Sequence, residues 1–194
     1  KVNVLNHACS NGQEPYTLAV KLIQILGKEA KKFFPIQAKD IDFDNIESAN
    51  RGRLGIKLNE MYRINHYTKN KPLSVAGRLL IKDGNELKTQ LINIDRDLVL
   101  IPKENIKSKV NFSQADILKD TSEKLPDNTV ILCRNFWPYL TPAEREQLAS
   151  NLYQNIGDNS LIITGDFDYR SNTPDLLKSR GFVEIGMNNV YIKR

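Results

Sequence analysis

The chain has the length and composition of one ordinary globular domain. Its 194 residues are 40% hydrophobic, enough to build a real core, and no apolar run approaches the roughly 18 residues needed to cross a bilayer. The net charge of +5 arises from 28 basic residues scattered among 23 acidic ones, without a motif or aromatic platform for nucleic acid. We therefore expect a cytoplasmic protein that neither inserts into membranes nor binds nucleic acid.

Residues that hold zinc or form disulfides are sparse. Cys9 and Cys133 are too few for a disulfide framework, and together with His7 and His66 they lack the spacing of zinc ligands. We expect no metal site, and we expect both thiols to pack as small apolar groups near strand ends. His7 falls inside the first predicted strand, where we expect a packed residue and not a catalyst.

Short β-like runs alternate with capped helices along the chain. The strands of one main sheet are predicted at 2–8, 36–42, 110–116, 129–134, 160–165, 182–186 and 190–193. This alternation predicts an α/β fold with an open sheet, and the Asn188-Asn189 turn before the final strand predicts an antiparallel last strand. In such sheets ligands bind at the carboxyl ends of the strands, beside the first strand.

Helices are predicted between these strands from leucine spacing and capping signals. Leucines at 18, 22 and 26 predict the first helix, which ends at Gly27. At Thr141 a later helix begins with a capping box completed by Glu144. Other N-cap signals predict helices that begin at Asp44 and Thr173, and a further helical segment is predicted through 58–64.

Residues 74–102 break the alternation of strands and helices. Two β-like runs, 75–82 and 87–94, flank an Asp83-Gly84-Asn85 turn, and a third run follows at 98–101. Three strands are enough for an antiparallel sheet to be stable by itself. We therefore predict that 74–102 form a small antiparallel β-subdomain inserted into one domain spanning 1–194.

Acidic residues and a glycine-poor loop mark the predicted ligand-binding edge. Asp40 ends the second strand, where a carboxylate accepts hydrogen bonds from ribose hydroxyls, and Asp116 ends the third, where it accepts from an exocyclic amine. The loop after the first strand has a single glycine, Gly12, so it lacks the three-glycine pattern that holds a pyrophosphate. Glu14 at the start of the helix repels phosphate and suits a cationic ligand, and S-adenosylmethionine carries both an ammonium and a sulfonium.

The first loop resembles a known signature. Residues 8–17 read Ala-Cys-Ser-Asn-Gly-Gln-Glu-Pro-Tyr-Thr, which is similar to the Ala-Ser-Thr-Gly-Glu-Glu-Pro-Tyr-Ser signature of the CheR-type chemotaxis receptor (protein-glutamate) methyltransferases. The likeness covers essentially the whole chain in order. It continues at 38–42, at 110–118, and at Cys133-Arg134-Asn135 followed by Tyr139.

The resemblance implies a Rossmann-like class I methyltransferase fold, with S-adenosylmethionine as cofactor and S-adenosylhomocysteine as product. It implies that Glu14 contacts the methionyl part, that Asp40 contacts the ribose, and that Tyr139 is the catalytic residue beside the transferable methyl group. It implies that Asp116 and Ile117 contact the adenosine end of the cofactor. The implied cofactor-binding set is Ala8, Ser10, Glu14, Asp40, Asp116, Ile117, Arg134 and Asn135.

The methyl acceptor implied by the resemblance is a glutamate carboxylate on a protein partner, such as a chemoreceptor or another signalling protein. A carboxylate is ionised near neutrality and needs no general base, and the predicted site offers no convincing base. The inserted sheet resembles the family's β-subdomain, which docks a receptor tail at its edge. The family also carries a helical domain and an essential arginine before its first strand. This sequence begins at that strand, so we expect it to bind cofactor and transfer little methyl.

Two alternative functions stay open at this point. The run Asn135-Phe136-Trp137-Pro138-Tyr139 faintly resembles the Asn-Pro-Pro-Tyr box of N-methyltransferases that act on nucleic acid or glutamine, although it is one residue longer. The second alternative is an interaction module that binds the cofactor with little or no catalysis. The resemblance of the first loop favours the glutamate methyltransferase over both.

Overall fold

The computed structural model describes residues 1–57, 80–82, 97–186 and 188–193 of the chain. Its strands are β1 Asn3–His7, β2 Ile36–Asp40, β3 Leu54–Lys57, β4 Leu80–Lys82, β5 Asp97–Pro102, β6 Val110–Gln114, β7 Thr129–Cys133, β8 Leu161–Ile163, β9 Phe182–Glu184 and β10 Val190–Lys193. Its α-helices are α1 Gln13–Leu26, α2 Phe43–Arg51, α3 Glu104–Lys107, α4 Ile117–Asp120, α5 Pro142–Asn155 and α6 Thr173–Ser179. Short 3-10 helices cover Gly27–Phe33, Trp137–Tyr139 and Asp166–Ser171. Within these described ranges, no helix has the length and apolar character required to span a membrane.

Seven strands form the main sheet, in the order β6-β2-β1-β7-β8-β10-β9. The first five strands of that order run parallel, and β10 runs antiparallel to both β8 and β9. The chain first builds from β1 outward through β2 to β6, and then crosses to the other side of β1 with β7. The border between β1 and β7 is therefore the switch point where such sheets bind ligands. The order confirms the predicted α/β fold with an antiparallel last strand.

Helices pack against both faces of the main sheet. Successive residues of β7 show the division, because side chains alternate between the two faces of a strand. Leu132 packs in the cluster that includes Ala19 of α1, and Ile131 packs in the cluster that includes Leu148 of α5. β7 is thus covered on both faces, which explains why it reads as a nearly continuous apolar run.

The capping signals were correct at one helix and misplaced at another. Thr141 caps α5 through the predicted capping box, in which its hydroxyl accepts from the Glu144 N–H at 3.3 Å. The prediction of Asp44 as an N-cap was wrong. Asp42 caps α2, because its backbone is still extended and its carboxylate accepts the Asp44 N–H at 2.8 Å.

A second, three-stranded antiparallel sheet has the order β3-β5-β4, and the described strands of the two sheets do not pair with one another. Its first strand, Leu54–Lys57, was not predicted. The predicted subdomain at 74–102 stays a prediction, because 74–79 and 83–96 lie outside the described residues. The Asp83-Gly84-Asn85 turn and the predicted helical segment at 58–64 lie outside them as well.

Candidate cofactor site

The loop after β1 is a tight turn with three residues in the left-handed region. Ala8, Ser10 and Gly12 have φ values of 54°, 50° and 86°. A side chain at Gly12 would also meet atoms of Ala49 and Phe112 at 3.0 Å. Glycine is therefore required here both by backbone conformation and by space. Non-glycine residues held in this region are strained, and such strain is concentrated at ligand-binding loops.

Asp40, at the end of β2, holds this loop in place. Its Oδ2 accepts the backbone N–H of Ser10 at 2.7 Å, and its Oδ1 accepts the Asp42 N–H at 3.0 Å and the Asn45 side-chain amide at 3.3 Å. The residue is 8% exposed. A carboxylate accepts about four hydrogen bonds, so one site on Oδ2 is left for a ligand hydroxyl and the long Asn45 bond is the easiest to exchange.

Glu14, in the first turn of α1, lies between two side chains from neighbouring strands. Its Oε2 accepts from the Asn6 side-chain amide at 2.7 Å, and its Oε1 is paired with the Arg134 guanidinium. Asn6 comes from β1 and Arg134 follows β7, so the pair bridges the switch point of the sheet. The structure therefore places Glu14 and Arg134, both predicted cofactor-binding residues, in direct contact at this border.

Asp116 and Ile117 lie at the end of β6, on the far side of β2. The backbone N–H of Ala115 donates to the Asp40 carbonyl at 2.8 Å, which keeps the ends of the two strands together. Asp116 caps α4, because its Oδ1 accepts the Leu118 N–H at 2.9 Å. Its second oxygen makes no hydrogen bond to any residue that the structure describes, and it remains available to a ligand amine.

Asn135 is held tightly to the segment that follows β8. Its backbone is left-handed, with φ 61°, and its Oδ1 accepts the Phe167 N–H at 3.2 Å. Asp168 accepts the backbone N–H groups of Asn135 at 2.8 Å, Trp137 at 3.2 Å and Gly165 at 2.7 Å. Burial raises the pKa of Asp168, and these N–H groups act in the opposite direction by favouring its charged form.

Tyr139 is 79% exposed, the highest value among the large hydrophobic side chains that the structure describes. Its ring centroid lies 6.0 Å from that of Phe167, and its hydroxyl makes no hydrogen bond within the described part of the chain. Trp137, two residues earlier, is fully buried and donates its indole N–H to the Cys133 carbonyl at 3.0 Å. The same short 3-10 helix thus turns one aromatic ring into the core and the other into solvent.

His7 and the cysteines pack as the sequence predicted. His7 is 1% exposed, and burial lowers its pKa from 6.5 to about 4, so the imidazole is neutral at pH 7. Its Nε2 lies 3.7 Å from a carboxylate oxygen of Asp120, which also pairs with Lys39 at 2.6 Å. Cys9 and Cys133 are free and buried, and burial raises the pKa of Cys9 to about 12. Neither thiol therefore forms a thiolate nucleophile near neutrality.

The sequence reasoning missed three residues that organise this edge, namely Asn6, Asn45 and Asp168. Two of them left a signal in the sequence. Asn6 is an amide directly after the apolar pair Val4 and Leu5 in β1, and Asp168 is an acidic residue a few positions after β8. Buried polar side chains need partners, so an isolated one in a strand indicates a contact beyond its own element. Asn45 reads as an ordinary helix residue and left no signal.

Comparison with protein-family models identifies the chain. A model described as the SAM-binding domain of CheR methyltransferases matches residues 1–76 and 84–183, which is most of the sequence. The chain belongs to this family. The CheR-family domain has S-adenosylmethionine as its cofactor, as expected from the first loop, and the family is one of methyltransferases.

Two curated relatives agree with the family match. The CheR-family domain is 25% identical over 169 residues to a chemotaxis protein methyltransferase of Borreliella burgdorferi, covering 85% of this chain and 51% of that protein. It is 23% identical over 184 residues to chemotaxis protein methyltransferase 2 of Vibrio cholerae, covering 93% of this chain and 56% of that protein. The chain spans about half the length of the curated relatives it matches.

A solved structure supports the fold of the CheR-family domain. The TehB-like SAM-dependent methyltransferase of Corynebacterium glutamicum matches with a TM-score of 0.50 at 12% identity, covering 100% of this chain and 80% of that one. At this identity the likeness concerns the fold alone. It agrees with the seven-stranded sheet described above, so the expected Rossmann-like class I methyltransferase fold is confirmed.

Proposed function

We propose that this domain holds S-adenosylmethionine across the β1–β7 border and, within a longer protein, transfers its methyl group to a glutamate carboxylate of a protein partner. The observation that carries the binding mode is the Glu14–Arg134 ion pair at that border. The methionyl part of the cofactor has an ammonium and a carboxylate. Glu14 and Arg134 supply the two opposite charges that recognise such a zwitterion.

The other proposed cofactor residues extend from this pair along the sheet edge. Asp40 binds the ribose with the free site on its Oδ2, and the strained backbone at Ala8 and Ser10 lets the chain approach the ligand closely. Asp116 accepts from the adenine amine with its free oxygen, next to Ile117. Asn135 closes the pocket on the β7 side. The direction from Arg134 through Asp40 to Asp116 follows the strand order β7-β1-β2-β6.

A carboxylate acceptor suits the chemistry of the described edge. Glutamate is ionised near neutrality, so its attack on the sulfonium methyl needs positioning and desolvation but no proton removal. His7 is buried within β1, and Asp168 is occupied by backbone N–H groups, so neither acts as a base toward solvent. Exposed Tyr139 is proposed to line the path of the acceptor to the methyl group. Both curated relatives are chemotaxis protein methyltransferases, which favours a partner from chemotaxis signalling, such as a receptor.

The amine-directed alternative is less well supported. An amine acceptor would need the Asn135 side chain to receive its N–H groups, but the Asn135 Oδ1 is directed at the Phe167 backbone N–H, which uses one of its two acceptor sites. Trp137 is fully buried, so it offers no ring for stacking on a base. Both observations favour packing roles for this aromatic run.

Binding of S-adenosylhomocysteine tests the cofactor assignment. We expect Asp40→Ala to lower the affinity by about 10- to 100-fold, because it removes a charge-assisted hydrogen bond and releases the Ser10 loop. Asp44→Ala, which changes an exposed carboxylate on α2, is the matched control and should bind as the wild type does. Titration calorimetry measures all three proteins. Equal affinities for wild type and Asp40→Ala would contradict the assignment.

Methyl transfer from radiolabelled S-adenosylmethionine to candidate receptor proteins tests the acceptor. We expect the transferred label to be released in mild base, because a carboxylate acceptor is methylated as an ester. A methyl ester releases methanol in mild base, whereas a methylated amine keeps its label. Base-stable label would contradict the carboxylate acceptor.

A further inference from the structure

Asn6 is a buried amide in a strand position that the fold fills elsewhere with apolar side chains. Val4, two residues earlier on the same face of β1, belongs to the apolar cluster that includes residues of α1. Ala38, which pairs with Asn6 on β2, belongs to the same cluster. Asn6 is 0% exposed. Its Nδ2 donates to the Glu14 Oε2 at 2.7 Å, and its Oδ1 has no hydrogen-bond partner among the residues that the structure describes.

The unpaired oxygen shows that this position is not optimised for stability. Flipping the amide would not provide the oxygen with a donor, because it would place Oδ1 against the negative carboxylate of Glu14. Glu14 therefore dictates the amide orientation and leaves a buried acceptor unsatisfied, which is costly. A leucine, which branches at the same carbon but is larger, has no polar atom to leave unpaired. Residues that break a local packing rule in this way are expected where function requires them.

The contact also fixes the carboxylate of Glu14 in one plane. Asn6 engages Oε2 and Arg134 engages Oε1, so each oxygen is held by a different side chain. A carboxylate accepts about four hydrogen bonds, and these two contacts leave acceptor sites on both oxygens. A ligand ammonium therefore meets a carboxylate whose orientation is set before it binds, which reduces the entropy lost on binding.

We propose that Asn6 is a positioning residue that orients Glu14 toward the ammonium group of the cofactor's methionyl part. This inference rests on the proposed contact between Glu14 and that group. Asn6 acts through Glu14 alone, so it contributes to the binding of ligands that carry the amino acid and contributes nothing to the adenosine end.

Two ligands and one substitution test this selectivity. S-adenosylhomocysteine carries the amino acid, and 5′-methylthioadenosine keeps the adenosine and sulfur but lacks it. We expect Asn6→Leu to lower the affinity for S-adenosylhomocysteine about tenfold and to leave that for 5′-methylthioadenosine unchanged within about twofold. The unfolding midpoint of Asn6→Leu should equal or exceed that of the wild type, because the unpaired oxygen is gone. Asn6→Ala repeats the binding test should the larger side chain prevent folding.

Matched asparagines provide the controls. Asn45 donates to Asp40 at the ribose end, so Asn45→Ala should weaken both ligands alike. Asn3 lies at the opposite end of β1 and donates to the Asp127 carbonyl, so Asn3→Ala should weaken neither. Adding Asn6→Leu to Glu14→Gln should cost no further affinity, because the charge that Asn6 orients is already gone.

Each other outcome overturns the proposal. Equal losses for the two ligands would show a general structural role, and an unchanged affinity for S-adenosylhomocysteine would show no role at all. A further loss on top of Glu14→Gln would show that Asn6 acts independently of Glu14. If Glu14→Gln binds S-adenosylhomocysteine as tightly as the wild type does, the proposed contact of Glu14 with the ligand is wrong, and this inference is wrong with it.

Discussion

At the scale of single residues, the binding edge is organised by buried polar side chains. Asn6, His7 and Asp168 are all fully buried or nearly so. Of the three, only Asp168 is well supplied with partners, because its carboxylate accepts several backbone N–H groups. The His7 Nε2 has no hydrogen-bond partner within the described chain. Such groups lower stability relative to an apolar core, and of the two with an unpaired atom only His7 also titrates, so its protonation has a measurable effect on folding.

His7 makes the stability of the domain sensitive to mild acid. Burial lowers its pKa from 6.5 to about 4, Asp120 opposes that shift and Lys39 adds to it. Above pH 6.5 the imidazole is neutral in both states. Between pH 6.5 and 4 the unfolded chain binds a proton that the folded chain does not, so stability falls as the pH falls, by at most about 1.4 kcal/mol per pH unit.

We therefore expect His7→Gln to remove this loss between pH 6.5 and 4. Urea unfolding at a series of pH values measures the free energy of unfolding for each protein. Leu5→Ala, on the same strand, is the control, because it weakens the core without removing a proton site and should keep the wild-type slope. A His7→Gln profile parallel to that of the wild type would show that other groups cause the acid sensitivity.

At the scale of elements, two segments that follow neighbouring strands lock together. The segment after β7 carries Asn135 and Tyr139, and the segment after β8 carries Gly165 and Asp168. A Cβ added to Gly165 would lie 2.0 Å from the Asn135 Oδ1, so the two backbones approach as closely as glycine allows. The position of the proposed catalytic edge is thus set by packing between segments about 30 residues apart in sequence.

We expect Gly165→Ala to lower the free energy of unfolding by about 1–3 kcal/mol, the usual cost of overpacking. Asn135→Gly should partly rescue it, because it removes the clashing side chain and glycine suits φ 61°. The rescue is incomplete since the Asn135 backbone nitrogen would still lie 2.9 Å from the added carbon. Denaturant unfolding of both single variants and the double variant completes the cycle. Strictly additive effects would show that the two residues do not clash.

At the scale of the whole molecule, the cofactor edge and the second sheet are built from different strands. The proposed cofactor residues follow β1, β2, β6 and β7, whereas β3, β4 and β5 pair only among themselves in the part of the chain that the structure describes. Lys82 of β4 pairs with Leu100 of β5, within this second sheet. We therefore predict that residues 83–96, which the sequence assigns to the inserted subdomain, can be replaced without moving the main sheet.

We expect replacement of 83–96 by Gly-Ser-Gly-Ser to change the affinity for S-adenosylhomocysteine by less than about threefold, because the described strands that carry the proposed cofactor residues pair without β4 and β5. Calorimetric titration of the shortened chain measures this, with Asp40→Ala as the variant that should lose binding. Unfolding of the shortened chain, or loss of its binding, would show that the segment supports the cofactor site.

Local sequence patterns predicted several strands and one helix start of the fold. The strands β1, β2 and β7 were predicted within about two residues. β7 reads as a nearly continuous apolar run because it is buried on both faces, whereas β2 alternates apolar Ile36 and Ala38 with polar Gln37 and Lys39. The capping box at Thr141 was also legible, since all its groups lie within four residues. The prediction of Asp44 as the N-cap was wrong, because the choice between Asp42 and Asp44 depends on where β2 ends, which is not a local property of the sequence.

The sequence by itself determined the family and the identities of the residues at each strand end, because a ligand-binding loop needs particular side chains in a particular order. Only the tertiary structure decided which of those residues meet. It paired Glu14 with Arg134, gave Asp40 the Ser10 backbone as a partner, and brought Asn6 to Glu14. Parallel strands distant in sequence become neighbours only when the sheet assembles, so contacts between their ends have no local signal.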